Sequence, residues 1–227
     1  MNEAALYRLM AWLSPSYPLG AYSYSHGLEY AVEAGLVRDA EHLVAWIGSI
    51  LSRGAGRIDA ALFAAAWRAA KGDDEAALQA IAEQAAAWRG SAELALESEA
   101  QGAAFMAVTR SAWPHPALER LGAARSDRPI ALPVAVGVAA AAHGIALAPA
   151  LAAYLQAFAA NLVSAGIRLI PLGQSAGQRA VAALETVVAD AARAATDSGL
   201  DDVGTAALVV DWCSMQHETQ YTRLFRS

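Results

Sequence analysis

Cysteine is nearly missing from this chain. Cys213 is the single one in 227 residues, which excludes an intrachain disulfide and leaves no thiolate cluster for a structural zinc. A reducing compartment suits such a chain, and a cytoplasmic location is expected. A basic field is missing too. The net charge is -6 and the pI about 5.3, so no overall positive potential exists to hold nucleic acid. At the start, MNEAALYRLMAWLSPSYPLG places Glu3 ahead of any basic residue and lacks a basic segment followed by an unbroken apolar run, so no signal peptide is expected. Charge then vanishes between Arg128 and Arg168, a gap long enough for a membrane span. The gap is dominated by Ala and Gly, is interrupted by Pro133 and Pro149, and carries His143, Gln156 and Asn161, so its hydrophobicity per residue is weak. Two buried helices are expected there, not a span. Helices that are apolar nearly all round need neighbours on every side, and a homo-oligomer interface is one way to supply them.

What is abundant is alanine, about a quarter of the residues and the strongest helix former. A hydrophobic fraction of 56% supports a sizeable core. Helices are expected at Glu3 to Leu13, Tyr22 to Ala34, Asp39 to Arg53, Arg57 to Lys71, Asp73 to Arg89, Ser91 to Trp113, Ile130 to His143, Pro149 to Ile167, Gly177 to Thr196 and Thr205 to Met215. Asp39 stands where an N-cap belongs, and Asp73 with Asp74 puts negative charge at the positive end of the next helix. Gly54 with Gly56, Gly72, Gly90, Pro114 with Pro116, and Gly144 with Pro149 read as short breaks. Strand evidence is confined to IRLIPL, Ile167 to Leu172, and one strand makes no sheet. WPHPALERLGAARSDRP, Trp113 to Pro129, is the loosest stretch and reads as a crossover. With no interdomain linker and no repeat, the expectation is one all-α domain, a helical bundle of about ten helices.

Motifs with catalytic chemistry are few. GQSAG, Gly173 to Gly177, matches the nucleophile-elbow pattern, and Ser175 is followed by Asp190, Asp211 and then His217 in a workable order. A serine hydrolase is therefore the alternative function. Such an elbow works because a parallel sheet holds the serine over a crevice, and this chain offers no such sheet. A turn between helices is the plainer reading of its two glycines. The histidines His26, His42, His115, His143 and His217 show no HExxH spacing. Cys213 and His217, four apart, form the one ligand pair that could share a helical face; two ligands hold a structural metal poorly. Glu93, Glu97 and Glu99 read as a solvated helix face. Glu93 and Glu97 also share a face at i,i+4, which is mildly unfavourable unless a partner lies opposite.

Surfaces are more informative. LSPSYPLGAYSYSHGLE, Leu13 to Glu29, uses Pro15, Pro18 and Gly20 to shape a turn and then offers Tyr17, Tyr22, Tyr24 and His26 among serines. Tyr provides contact area at low entropy cost and Ser provides adaptable hydrogen bonds. HETQYTRLFRS, His217 to Ser227, combines Tyr221, Arg223, Phe225 and Arg226, types enriched in binding hot spots. A solvated tail gains nothing from them, so this one is expected to dock, on its own body or on a partner. Arg223 or Arg226 settling against Tyr22 or Tyr24 in a cation-π contact would couple tail and loop.

SPSYPLGAYSYSHGLE, NLVSAGIRLIPLGQSAGQ (Asn161 to Gln178) and HETQYTRLFRS together resemble the urease accessory protein F family, UreF. The blocks occur in the family's order and span essentially the whole chain. ELALESEAQGAAF, Glu93 to Phe105, resembles the family's acidic helix before a glycine, here Gly102, without the basic residues often interspersed there. Tyr22 stands where many members have Phe. The resemblance implies an all-α, non-enzymatic scaffold without a cofactor, typically a homodimer. It implies binding to the accessory protein UreD or UreH and, through that complex, recruitment of the GTPase UreG that carries nickel to the urease apoprotein. It further implies a body of residues 1–216 and a docking tail of residues 217–227 that orders on a partner. Partner contacts are then expected from Tyr22, Ser23, Tyr24, His26 and Glu29 in the loop, and from Arg168, Gln174 and Gln178 around GQSAGQ. In the tail they are expected from His217, Glu218, Gln220, Tyr221, Arg223, Leu224, Phe225 and Arg226.

Overall fold

A computed structural model describes residues 2–227. Its first helix, α1 (Glu3–Trp12), starts where the Asn2 side chain accepts from the Ala5 N–H at 2.8 Å. The expected helix from Tyr22 is shorter than its pattern suggested: a 3-10 turn at Ala21–Ser23 gives way to extended Tyr24, and α2 occupies only Leu28–Glu33. Between them His26 and Gly27 both have positive φ, 58° and 75°, a conformation that breaks a right-handed helix.

The middle of the chain follows its caps. In α3 (Ala40–Arg53) the Asp39 carboxylate accepts from the His42 N–H at 2.9 Å, and α4 (Ala55–Lys71) begins directly after Gly54. Asp74 caps α5 (Glu75–Ala87) through the Ala77 N–H, and Ser91 caps α6 (Ala92–Ala112) through the Leu94 N–H. The stretch read as a loose crossover contains α7 (Pro116–Ala124). Pro116 sits at the first helical position, where a missing N–H costs nothing, and the His115 ring accepts from the Ala117 N–H at 3.2 Å.

The charge-free run becomes α8 (Leu132–Ala142) and α9 (Leu147–Leu169). Both prolines lie in first turns and interrupt nothing. Residues Pro133 to Ala141 are all buried, and α8 finds its neighbours inside the chain, against α4, α5, α6, α7 and α9. A Cβ on Gly137 would come within 2.6 Å of the Phe63 carbonyl, so glycine sets how closely α8 approaches α4. By length and composition α9 could cross a membrane, yet half of its apolar window is buried in the fold, beside α3, α4, α8 and the two helices that follow.

IRLIPL forms no strand, and no strand occurs among the described residues; its first half ends α9 and its second half runs into α10 (Gln174–Ala183). The single helix expected to Thr196 is divided at buried Leu184, whose N–H is shared between the carbonyls of Ala180 and Val181, and α11 covers Glu185–Asp197. The last helix, α12 (Leu208–His217), packs on α2 and α6. Twelve α-helices among the described residues form one all-α bundle. In its core Trp12, fully buried, meets Phe105 and Trp113 edge-on at 6.0 Å each.

Candidate functional site

Glu29, Glu93 and Glu97 lie on α2 and α6 and are buried, at 7%, 8% and 6% exposure. The solvated face expected for Glu93 and Glu97 is therefore wrong, and the reason is what stands opposite. His217, at the end of α12 and fully buried, places Nδ1 2.6 Å from Glu93 Oε2 and Nε2 3.0 Å from Glu29 Oε2. Two carboxylates on two ring nitrogens are satisfied together when both nitrogens carry a proton and donate. Arg223 Nη1 donates to the second oxygen of Glu93 at 2.8 Å. The partners that an i,i+4 glutamate pair needs thus reach Glu93 from the C-terminal end of the chain, while His26 of the loop faces Glu97.

Glu29 also receives main chain. The N–H groups of Leu224 and Phe225 donate to its two oxygens at 2.7 and 2.9 Å. Beyond them the tail pairs with the tyrosine loop: Arg226 N–H donates to the Ser23 carbonyl at 2.8 Å, and Ser25 N–H donates to a main-chain oxygen of Ser227 at 2.7 Å, which Ser25 Oγ also reaches. Ser227 Oγ donates to Glu97 at 2.9 Å, and His26 Nδ1 lies 3.3 Å from the same oxygen. His26 thus holds its left-handed backbone beside the buried Glu97 carboxylate, strain kept where surrounding contacts determine it. Gly27 next to it has no freedom either, since a Cβ there would come 2.8 Å from the Ser214 N–H.

The middle block of the resemblance reaches the same place from α9. Asn161 donates to the Ala21 carbonyl at 2.9 Å, and Arg168 Nη1 donates to the Tyr22 carbonyl at 2.7 Å. The Arg168 guanidinium stands 4.4 Å from the Phe225 ring centroid, and the partial burial lowers its pKa. Arg226 lies over Tyr24 at 5.8 Å, one of the couplings anticipated; Arg223 goes to Glu93 instead. Glu218 accepts from the Ala92 N–H at 2.9 Å and so helps cap α6, while Gln220 donates to Glu33.

Outward from this clasp stand Tyr22, Tyr221, Arg223, Leu224 and Arg226, all exposed. Leu208, Trp212 and Met215 form an exposed apolar stripe along α12, and Leu6, Tyr7 and Met10 another on α1. Gln174 and Gln178 are exposed on α10 and take no part in the clasp. Ser175 lies in the first turn of α10, exposed, and both nitrogens of His217 are engaged by carboxylates, so the elbow reading has neither a strand to hold its serine nor a base to serve it. Burial pushes the Cys213 thiol up to about 11, against the thiolate character that a metal ligand needs. Among the described residues no group of three or more His, Cys, Asp or Glu is arranged to hold a metal.

Sequence reasoning missed Ser25, Asn161, Ser214 and Ser227. Ser214 Oγ bonds Ser91 Oγ at 2.6 Å across the α12–α6 contact, and no local pattern announces such a pairing. The i,i+4 spacing of Glu93 and Glu97 was the available signal for the acidic centre.

Fold and site together define a class: an all-α protein whose buried charges fasten its own C-terminal segment and shape a composite surface. The chain belongs to the UreF family of urease accessory proteins. The UreF family model matches residues 37–185. The urease accessory protein UreF of Granulibacter bethesdensis is 56% identical, over 100% of this chain and 95% of that protein. Those of Rhodopseudomonas palustris (strain BisB18) and Methylobacterium radiotolerans are 53% and 54% identical, over 100% and 97% of this chain and 93% and 96% of theirs.

Proposed function

We propose that this chain is a non-catalytic scaffold of urease maturation that binds the accessory protein UreD or UreH and, through it, recruits or regulates the GTPase UreG. Nickel bound for the urease apoprotein is the cargo of that assembly, and the chain works in the cytoplasm as a homodimer. Family membership supports the reading, and the clasp is the observation that carries it. By seating the tail on the tyrosine loop, Glu29 and Glu93 turn two short segments into one surface bearing Tyr22, Tyr221, Arg223 and Leu224. The tail then meets a partner with much of its ordering cost, about 1 to 2 kcal/mol per backbone residue, already offset within the chain. The apolar faces of α1 and α12 are where a partner or a second copy would bury surface.

The test is co-expression and pull-down with the cognate UreD and UreG, comparing the intact chain, a chain ending at Met215 and the double variant Tyr221→Ala, Leu224→Ala. Truncation removes His217 and strands two buried carboxylates, so the surface variant carries the decision. It is expected to keep helicity and melting behaviour and to lose the complex. Retention of the complex by this variant moves partner binding away from the tail.

A further inference from the structure

Among the arginines, Arg125 stands apart. Arg89 is paired with Asp59, Arg110 with Glu119, Arg120 with Asp73 and Glu75, and Arg193 with Asp190. Arg125, the residue just past the end of α7, is only 6% exposed. Its Nε is buried with no acceptor, and no hydrogen bond or ion pair joins its side chain to another described residue. Its Nε–H is shut off from water while the two Nη groups keep some access to it, and a guanidinium enclosed to this degree with no counter-charge is unfavourable. A counter-ion from outside the chain resolves it.

The space for one is present. Arg125 lines a cavity of about 610 Å³ between α6, α7 and the turn leading to α8. Arg110 and Arg128 line the same cavity, with Glu119 as its only acidic wall and Met106 and Ile130 as apolar floor. Arg110 is fixed by Glu119, whose two oxygens lie 3.1 and 3.0 Å from its Nε. Arg128 is loosely held. Its contacts to Glu83 and Asp127 are 3.7 and 3.9 Å, well beyond the length of a charge-assisted hydrogen bond, and its side chain is 60% exposed. The Arg125 carbonyl accepts from the Arg128 N–H at 3.1 Å, so one tight turn carries both guanidinium groups.

We propose that this cavity binds a phosphate group, with Arg125 as the fixed buried donor and Arg128 as the donor that leaves Glu83 and Asp127 to close on it. Three arginines against one glutamate leave the lining with an excess positive charge that suits a dianionic phosphate better than a monoanionic carboxylate. Guanidinium forks match phosphate oxygens bidentately. The volume falls in the range of small-molecule pockets, so the phosphate is either free or the end group of a larger molecule.

Titration calorimetry and thermal melting of the full chain test this with inorganic phosphate and pyrophosphate, against chloride and acetate at matched ionic strength. Phosphate is expected to raise the melting temperature with the logarithm of its concentration above Kd, and chloride and acetate to do so far less. Arg125→Met is expected to weaken phosphate affinity by at least about tenfold, the loss of a charge-assisted pair, and to melt higher than the parent chain in phosphate-free buffer because the unpaired buried charge is gone. Arg128→Gln, at an exposed position, is expected to lower affinity without changing the phosphate-free melting temperature, and it carries the test should Arg125→Met fold poorly. Tighter binding of pyrophosphate supports the site as a seat for a larger phosphorylated molecule; equal or weaker binding supports free phosphate. Equal stabilisation by chloride or acetate, or full phosphate affinity in either variant, overturns the proposal.

Discussion

His217 and Glu29 are 188 positions apart in the chain and 3.0 Å apart in space, joined in a buried contact that Glu93 completes from the other side of the ring. That three-residue bridge ties α2, α6 and α12 together at one point, and the tail beyond His217 uses the same two carboxylates as its anchors. Core stability and surface shape are therefore linked through His217.

His217→Ala should be strongly destabilising. Removing one partner of a buried charge cluster leaves the others uncompensated, which costs about 3 to 5 kcal/mol. Equilibrium urea unfolding measures it. Hydrogen exchange at Leu224 and Phe225 should accelerate in the variant beyond what global unfolding explains. A loss under 1 kcal/mol, the scale of an exposed pair, would show that the cluster is not closed to solvent.

Arg168 and Phe225 should be coupled. The guanidinium sits 4.4 Å from the ring centroid, and a partly desolvated cation-π contact contributes about 1 kcal/mol. A double-mutant cycle of Arg168→Ala and Phe225→Leu, read by unfolding, should show a non-additive energy of that order. The same cycle on Arg226 and Tyr24, 5.8 Å apart, should give a smaller one. Strict additivity at both pairs would leave the tail held by its carboxylate and main-chain contacts, with no contribution from the cation-π pairs.

How much of this was legible depends on the range of the interactions. Helix caps are local, so Asp39 could be read directly and Asp73 with Asp74 marked the next helix start, and the apolar run between Arg128 and Arg168 resolved into two core helices. Pro116 opens a helix that its Pro- and Gly-containing neighbourhood disguised. The left-handed pair His26 and Gly27 broke a helix that periodicity alone extended, because Gly27 must let Ser214 approach from a segment far away in sequence. The acidic centre was misread for the same reason: nothing near Glu93 and Glu97 reveals that His217 and Arg223 arrive at the first and His26 and Ser227 at the second. The three segments that carry the resemblance touch in the fold through Asn161, Arg168 and the tail, while Gln174 and Gln178 stay apart, and no local pattern told these from one another.

Cys213 should be inert in the native chain. It is fully buried, and burial pushes its thiol up to about 11, so at pH 8 the nucleophilic thiolate is scarce and shielded. Iodoacetamide should label it only as fast as the protein opens, and at full speed in denaturant. Native labelling at the rate of a free thiol would mean that α12 lifts from α2 and α6 in the ground state.

His143 should make stability fall on mild acidification. Burial lowers its pKa below the ordinary 6.5, and the Arg8 charge adds to the effect, with a smaller push from His115; the bond to the Trp113 carbonyl, 3.2 Å away, acts in the opposite direction. Its ring also lies 5.4 Å from Trp12 and from His115. With the folded pKa below the unfolded one, the two states bind protons equally well above pH 6.5. As pH falls through that value the unfolded chain takes up the proton first, so the stability present above pH 6.5 is lost progressively until the folded pKa is passed. Gln at this position keeps a donor for the Trp113 carbonyl and removes the titration. Unfolding free energies of the parent chain and of His143→Gln, measured from pH 7.5 to pH 5, should therefore converge or cross as pH falls, the parent losing more. Parallel curves would place the acid sensitivity elsewhere, and a parent that gained on His143→Gln at low pH would mean that the Trp113 bond outweighs burial and that this ring charges readily in the fold.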